Sequence, residues 1–408
     1  MMGFGLLGRH LSHSYSPQIH AMLGDYSYEL FEKEPHDLES FLRSGNWSGI
    51  NVTVPYKKEV IPYLDELSPV AQKLGAVNTV VRRDGKLIGH NTDYFGFLCM
   101  VKACRLDVHG KKALVLGSGG ASNTAVAVLQ ELGANVVVIS RTGCNHYGNL
   151  NLHADATLLV NTTPVGMFPH NCTAPLDLEL LPQLKAVLDV IYNPARTQLL
   201  LDAEKKGLVA MNGLLMLVAQ AKEAAQWFTD QTISDDVIPP IHSALRQKME
   251  NIILIGMPGS GKSTVGRELA SQLGREFVDA DTYIEEIAGM TIPKIFSKFG
   301  EDTFRRYETT ALQNLGMQSG LIIATGGGCV TREDNYPLLH QNGTIIWLKR
   351  DTEKLPTDGR PLSKKQHLDE MYRFRKPLYE FFSDCEIIND CAPEDTARRI
   401  IDMMEDRL

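Results

Sequence analysis

The sequence predicts an α/β protein, with helices laid on parallel sheets and the chain divided into more than one domain. Three observations predict it. Two stretches, 113–132 and 251–270, each read as an apolar strand, a glycine-rich turn and an amphipathic helix. The first is followed at once by another strand, Asn135-Val-Val-Val-Ile, so its spacing is that of a βαβ unit. At 408 residues the chain is also too long for one ordinary core.

The composition narrows the class. Hydrophobic residues make up 43% and charged residues 22% of the chain, as in ordinary globular proteins. A net charge of −8 speaks against a general nucleic-acid binder, which needs a basic face. The seven cysteines form no CxxC pair, so neither a disulfide framework nor a zinc site is expected. No apolar run approaches the roughly 20 residues of a membrane span, and the start of the chain lacks the length of a signal peptide. A cytoplasmic protein with no nucleic-acid or membrane partner is the expectation; oligomeric state is not legible.

Taken in order, Phe4-Gly-Leu-Leu is a first strand running into a polar loop that holds Ser14, Ser16 and Pro17. Hydroxyls at the carboxyl end of a strand can meet an anion, although Ser-Pro is equally a helix-start signal. In Gly49-Ile-Asn51-Val-Thr53-Val-Pro55-Tyr-Lys57, apolar and polar residues alternate as in a strand with one polar face. Pro55 ends that strand and Lys57 is expected in the first turn of a helix, the wrong end of the dipole for a cation unless it has a negative partner. Asn78 and Asp93 sit where short apolar stretches give way to polar loops and are candidates for that company.

The turn after the strand at 113–116 is Gly117-Ser118-Gly119-Gly120-Ala121, and the βαβ spacing makes it a dinucleotide-binding (Rossmann) unit. At the end of the second strand an NAD enzyme would place an acid on the ribose 2′-hydroxyl; here stand Ser140-Arg141-Thr142. A guanidinium flanked by hydroxyls welcomes a 2′-phosphate, so the cofactor read from these residues is NADP(H). The following stretch, 143–155, has no helical apolar period where a crossover helix is expected.

After an internal Met249 a strand restarts and runs into Gly256-Met-Pro-Gly259-Ser260-Gly261-Lys262-Ser263-Thr264. This is a phosphate loop in its required context. Backbone N–H groups cradle a triphosphate, Lys262 reaches the outer phosphates and the Ser263 hydroxyl can ligate Mg²⁺, so ATP and Mg²⁺ are implied. Asp279 and Asp281 form an Asp-x-Asp at the end of a predicted strand, which would put both carboxylates on one face. One can serve Mg²⁺ through water and the other can accept a proton from an attacking hydroxyl. Arg305 and Arg375, beside Gly326-Gly327-Gly328, could clamp a carboxylate.

The stretches around Ser14/Ser16, Asn51–Lys57, Asn78-Thr79 and Asn91-Thr-Asp93, with Asn161-Thr-Thr-Pro-Val-Gly, Asp189-Val-Ile-Tyr192 and Asn212-Gly213-Leu-Leu-Met-Leu-Val-Ala-Gln220, together resemble shikimate dehydrogenase over residues 3–245. The resemblance implies a substrate domain at 1–105 completed by 214–245, a Rossmann NADP domain at 106–213, and a helix from Leu214 to Phe228 packing back on the first domain. It implies a catalytic pair, Lys57 and Asp93, that stabilises or protonates a developing alkoxide. Ser14 and Ser16 would hold the substrate carboxylate. Asn51, Thr53 and Asn78 would hold ring hydroxyls, Tyr192 and Gln220 would complete the site, and Gly213 would lie near the nicotinamide.

Beyond a linker at 230–248, residues 249–408 resemble shikimate kinase, a P-loop domain of the nucleoside monophosphate kinase type with a central parallel sheet. By that resemblance Asp281 binds substrate hydroxyls and acts as base, leaving Asp279 to the metal. Arg305 and Arg375 hold the carboxylate, Gly327 packs on the ring, Glu308 orients Arg305, and Arg360 in Gly-Arg-Pro-Leu covers the ATP phosphates. The segment 352–358 lacks an arginine that many relatives stack on adenine; Lys354 is the candidate replacement. The implied enzyme makes shikimate with one half and phosphorylates it with the other. A quinate-type dehydrogenase, another small-polyol kinase, or a non-catalytic ligand-binding regulator are the alternatives.

Overall fold

The computed structural model describes residues 3–11, 14–351, 353 and 365–406. They divide into two compact units. The first comprises 1–166, 173–192 and 199–244; the second comprises 167–172, 193–198 and 245–408.

Two sheets make up the first unit. The N-terminal one contains β1 (Gly3–Gly8), β2 (Tyr28–Glu32), β3 (Trp47–Val52), β4 (Glu66–Leu67), β5 (Thr79–Arg83) and β6 (Lys86–His90), in the order β2-β1-β3-β5-β6-β4. β1 runs parallel to β2 and β3, whereas β5 is antiparallel to both β3 and β6. Inward residues Leu7, Ile50, Val52 and Val80 pack with Leu42 and Trp47, which fixes the register: a one-residue slip would turn Asn51 into the core and Ile50 out of it.

The second sheet of this unit is wholly parallel: β7 (Lys112–Leu116), β8 (Asn135–Ile139), β9 (Leu158–Asn161), β10 (Ala186–Asp189) and β11 (Val209–Met211), ordered β11-β10-β9-β7-β8. The run Ala113-Leu-Val-Leu is buried on both faces, Ala113 and Val115 with one core and Leu114 and Leu116 with the other. That is why it reads as continuous rather than alternating hydrophobicity. As the sequence implies, the crossover from β8 to β9 contains no α-helix; a 3₁₀ segment, Tyr147–His153, takes its place. The helix Leu214–Thr229 lies against the N-terminal sheet, with the Phe228 ring stacked on Phe4 at 4.9 Å.

The second unit holds a five-stranded parallel sheet, β12 (Asn251–Ile255), β13 (Phe277–Asp279), β14 (Ile322–Ala324), β15 (Gly343–Lys349) and β16 (Cys385–Ile388), ordered β13-β14-β12-β15-β16. Ile253, Ile323, Ile345 and Trp347 face one layer of helices, while Ile252, Leu254, Ile322 and Ile346 face the other. Chain order reverses at β12, so the crevice beyond its carboxyl end is the place for a ligand. Residues 230–248 include a 3₁₀ turn, Asp235–Val237, and most of a twelve-residue helix, Ile238–Met249.

Candidate active sites

A cavity of about 560 Å³ in the first unit is lined by all nine residues expected to meet the substrate: Ser14, Ser16, Asn51, Thr53, Lys57, Asn78, Asp93, Tyr192 and Gln220. They come from the loop after β1, the end of β3 and the turn beyond it, the residue before β5, two helix N-termini, the loop after β10 and the interior of the helix Leu214–Thr229. Ser16 opens the helix Ser16–Leu23, and its N–H donates to Ser14 Oγ at 3.2 Å, so both hydroxyls are held on one turn.

Lys57 corrects one expectation. It lies in a turn, not in a helix. Its carbonyl accepts from Val77 N at 2.7 Å, and Ile61 N, the partner a helix would need, bonds to Lys58 O instead. A tertiary bond has taken the acceptor that would have propagated the helix, and the dipole argument for Lys57 falls with it. The negative partner is nevertheless present: Lys57 Nζ is 2.6 Å from Asp93 Oδ2. Asp93 is the first residue of the helix Asp93–Ala103, where a carboxylate is favoured. Its other oxygen accepts from Asn78 Nδ2 at 2.9 Å, and Asn78 Oδ1 accepts from Thr92 N at 2.7 Å. The carboxylate is thus locked between an amide and an ammonium.

The glycine turn after β7 adjoins this cavity, with Ala121 and Gly213 both lining it. Gly117 has φ of +108°, and a Cβ there would come within 2.9 Å of Thr162 Oγ1. At Gly213 an added Cβ would overlap the Val190 carbonyl. Gly119 precedes the helix Gly120–Glu131, leaving that helix's first N–H groups directed at the crevice, as a pyrophosphate requires. Ser118 lies in the same turn, and Ser140, Arg141 and Thr142 follow β8, with the Ser140 hydroxyl donating to Thr142 O at 3.1 Å. Arg141 is exposed.

In the second unit, Gly259 and Gly261 adopt φ of +84° and +95°, turning the loop that contains Ser260 into the N-terminus of the helix Lys262–Leu273. Lys262 Nζ donates to the carbonyls of Gly256 and Met257 at 2.8 and 2.9 Å, arched back over its own loop. Ser263 Oγ donates to Asp279 Oδ2 at 2.6 Å, while Thr264 continues the helix. Two hard oxygen donors side by side suit Mg²⁺.

The Asp-x-Asp also differs from expectation. Asp279 is the last residue of β13, but Asp281 belongs to the first turn of the helix Ala280–Ala288, so the two carboxylates do not share a strand face. Asp279 is the N-cap, accepting from Asp281 N at 3.0 Å, and this cap starts the helix at Ala280, within the stretch a strand reading would need. The consequence is a division of labour: Asp279 points to Ser263, Asp281 to the triple glycine. A Cβ on Gly326 would come within 2.8 Å of Asp281 Oδ1, and one on Gly328 within 2.5 Å of both terminal nitrogens of Arg305. The glycines are therefore spaces into which functional side chains project. Arg375 donates to Gly327 O at 3.1 Å, and Arg305 donates to Glu308 at 2.8 Å. Burial, reinforced by Asp279, pushes the Asp281 carboxyl above the ordinary range, against the pull of Lys262 and Arg305. Thr352, Lys354 and Arg360 lie outside the described residues.

Shikimate dehydrogenase (NADP(+)) of Clostridium perfringens (strain SM101 / Type A) is 35% identical over 245 residues, covering 55% of this chain and 90% of that protein. The chain belongs to the shikimate dehydrogenase family. Residues 6–80 match the shikimate dehydrogenase substrate-binding domain model, and residues 258–405 match the shikimate kinase model. The chain is therefore an enzyme of two parts, a shikimate dehydrogenase joined to a shikimate kinase domain, with NADP(H) and ATP as the nucleotides those families imply. Among solved structures, shikimate dehydrogenase 1 from Peptoclostridium difficile has a TM-score of 0.56 at 36% identity, covering 60% of this chain and 98% of that one. Shikimate 5-dehydrogenase from Thermus thermophilus in complex with NADP(H) and shikimate has a TM-score of 0.54 at 35% identity, covering 60% and 99%. A chorismate mutase/shikimate 5-dehydrogenase fusion from Clostridium acetobutylicum, at 34% identity and a TM-score of 0.56, joins a dehydrogenase to a different enzyme; it covers 59% of this chain and 96% of that one.

Sequence reasoning missed Met216 and Val190, which also line the dehydrogenase cavity. Met216 lies four residues before Gln220 on the same helix face, so the helical period starting from Gln220 could have found it. Val190 carries no signal of its own; it borders the cavity because Gly213 lets two backbones meet.

Proposed function

We propose that the chain reduces 3-dehydroshikimate to shikimate with NADPH in its first unit and phosphorylates shikimate to shikimate 3-phosphate with MgATP in its second. The convergence of nine predicted side chains on one cavity carries the first half. In it, Ser14 and Ser16 bind the substrate carboxylate, while Asn51, Thr53, Asn78 and Gln220 take the ring hydroxyls and Tyr192 closes the site. NADPH, seated on the turn 117–121 with its 2′-phosphate at Arg141, supplies the hydride. Lys57, held by Asp93 at 2.6 Å, donates the proton that the ketone oxygen gains as hydride arrives, so a C=O and a proton become a hydroxyl.

In the second unit, Arg305 and Arg375 hold the carboxylate of shikimate on either side of Gly327. Asp281 accepts the proton from the attacking hydroxyl as the bond to the γ-phosphorus forms and ADP leaves. Lys262 follows the phosphates on leaving its two carbonyls, and Arg360 adds a further positive charge. Ser263 and Asp279 would hold Mg²⁺, which would neutralise charge on the phosphates. The seven cysteines, all free, suit a reducing compartment such as the cytoplasm, and no helix among the described residues is long and apolar enough to cross a membrane.

Lys57→Ala tests the division of roles. Reduction should fall by at least about 100-fold with phosphorylation of added shikimate unchanged. Equal loss of both activities would refute two separate sites.

A further inference from the structure

Against Ser16 and Asn51, which line the dehydrogenase cavity, lies a layer of rings that the proposed mechanism does not use. His20 is fully buried, one helical turn beyond Ser16 on the helix Ser16–Leu23. Its ring is stacked on Tyr28 of β2, with centroids 4.0 Å apart and planes 10° from parallel. On its other edge, Nδ1 and the Tyr26 hydroxyl are hydrogen-bonded at 2.8 Å. The Tyr28 hydroxyl donates to Asn51 Oδ1 at 2.7 Å. Tyr28 does not line the cavity; Ser16 and Asn51 do.

Asn51 is 5% exposed, and its Nδ2 donates to Thr79 Oγ1 at 3.1 Å. An asparagine amide has two orientations that fill the same space and exchange donor for acceptor. Only one of them presents Oδ1 to the phenol and Nδ2 to Thr79. In that orientation Tyr28 donates to the amide oxygen. The amide is thus held from both ends, by the phenol at Oδ1 and by Thr79 Oγ1 and the Asn78 carbonyl, at 3.4 Å, at Nδ2.

We propose that Tyr28 is a positioning residue of the dehydrogenase. By donating to Asn51 Oδ1 it holds the amide steady at the position from which Asn51 meets the substrate, and the stacked His20 ring holds the phenol in place. Burial keeps both members in the required state. It raises the Tyr28 pKa well above the usual phenol range, against the opposing effect of the Ser16 hydroxyl, so the donor proton stays on. It lowers the His20 pKa to about 3, against the opposing influence of Asn51, so the stacked ring is neutral. The proximity of Ser16 to the same phenol links the carboxylate end of the site to the hydroxyl end through one side chain. The inference rests on the reading that Asn51 binds substrate.

The experiment is a double-mutant cycle in the full chain, with Tyr28→Phe, Asn51→Ala and the pair. Phenylalanine keeps the ring and its stack and removes only the donor. For Tyr28→Phe we expect KM for 3-dehydroshikimate to rise roughly tenfold. KM for NADPH and kcat should stay within about twofold, and phosphorylation by the same molecule should be intact. In the Asn51→Ala background, Tyr28→Phe should add nothing, because the amide through which it acts is gone. If Tyr28→Phe raised KM equally in both backgrounds, or left KM unchanged while Asn51→Ala raised it, the positioning role would be overturned. If Asn51→Ala itself left KM unchanged, the substrate-binding role of Asn51 would fail, and the role of Tyr28 with it.

Discussion

Glu308→Gln isolates one polar contact in the kinase site. Glu308 is 1% exposed and binds Arg305 at 2.8 Å, while the second partner of Arg305, Glu301 at 3.1 Å, is largely exposed. Glutamine has nearly the same shape and retains an acceptor. What is lost is the charge assistance, the difference between an ionic hydrogen bond and a neutral one, about 1–2 kcal/mol. If Arg305 binds the shikimate carboxylate and Glu308 sets its direction, that loss appears as a roughly 5- to 30-fold rise in KM for shikimate. KM for ATP should hold within about twofold, since Arg305 does not belong to the phosphate loop. Steady-state phosphorylation at varied shikimate and fixed saturating MgATP measures this, and reduction of 3-dehydroshikimate by the same preparation reports on folding. An unchanged KM for shikimate, or an equal rise in KM for ATP, would refute the assignment of Arg305 and Glu308.

Three further outcomes follow from the two sites. Because burial raises the Asp281 pKa, the ionised base fills only above the ordinary carboxylate range, so the acid limb of phosphorylation should lie above about pH 4. The folded state also holds that proton more tightly than the unfolded chain does; the stabilisation is complete below pH ~3.9 and is lost as pH rises through the raised value. Asp281→Asn should therefore abolish phosphorylation yet raise the melting temperature at pH 7, with the gain shrinking towards pH 4, as calorimetry would register. Arg141→Ala should raise KM for NADPH by roughly tenfold and leave KM for NADH nearly unchanged, since only NADPH carries the phosphate that a guanidinium grips.

Much of this is legible in the sequence, for physical reasons. Strand–turn–helix units announce themselves because the glycines after β7 and β12 sit in backbone conformations or close approaches that few other residues tolerate, as Gly117 and Gly261 illustrate. The absent crossover helix between β8 and β9 was legible as an absent apolar period. The two misreadings share a cause. Lys57 and Asp281 were placed by local pattern, but a carbonyl captured by Val77 and a side-chain cap from Asp279 decided the backbone at those points. Val77 lies far from Lys57 in sequence, so nothing local marks it; Asp279 lies two residues before Asp281, where an aspartate reads equally as a strand end and as a helix cap. The Tyr28–His20 stack was equally hidden, because a histidine on a helix and a tyrosine in a strand reveal nothing of the ring contact that unites them.

The most direct test of two successive chemistries in one chain is mass spectrometry of a single reaction containing the purified protein, 3-dehydroshikimate, NADPH and MgATP. Shikimate 3-phosphate should appear, with one NADPH and one ATP consumed for each molecule formed. Accumulation of unphosphorylated shikimate, or no turnover of 3-dehydroshikimate at all, would contradict the account.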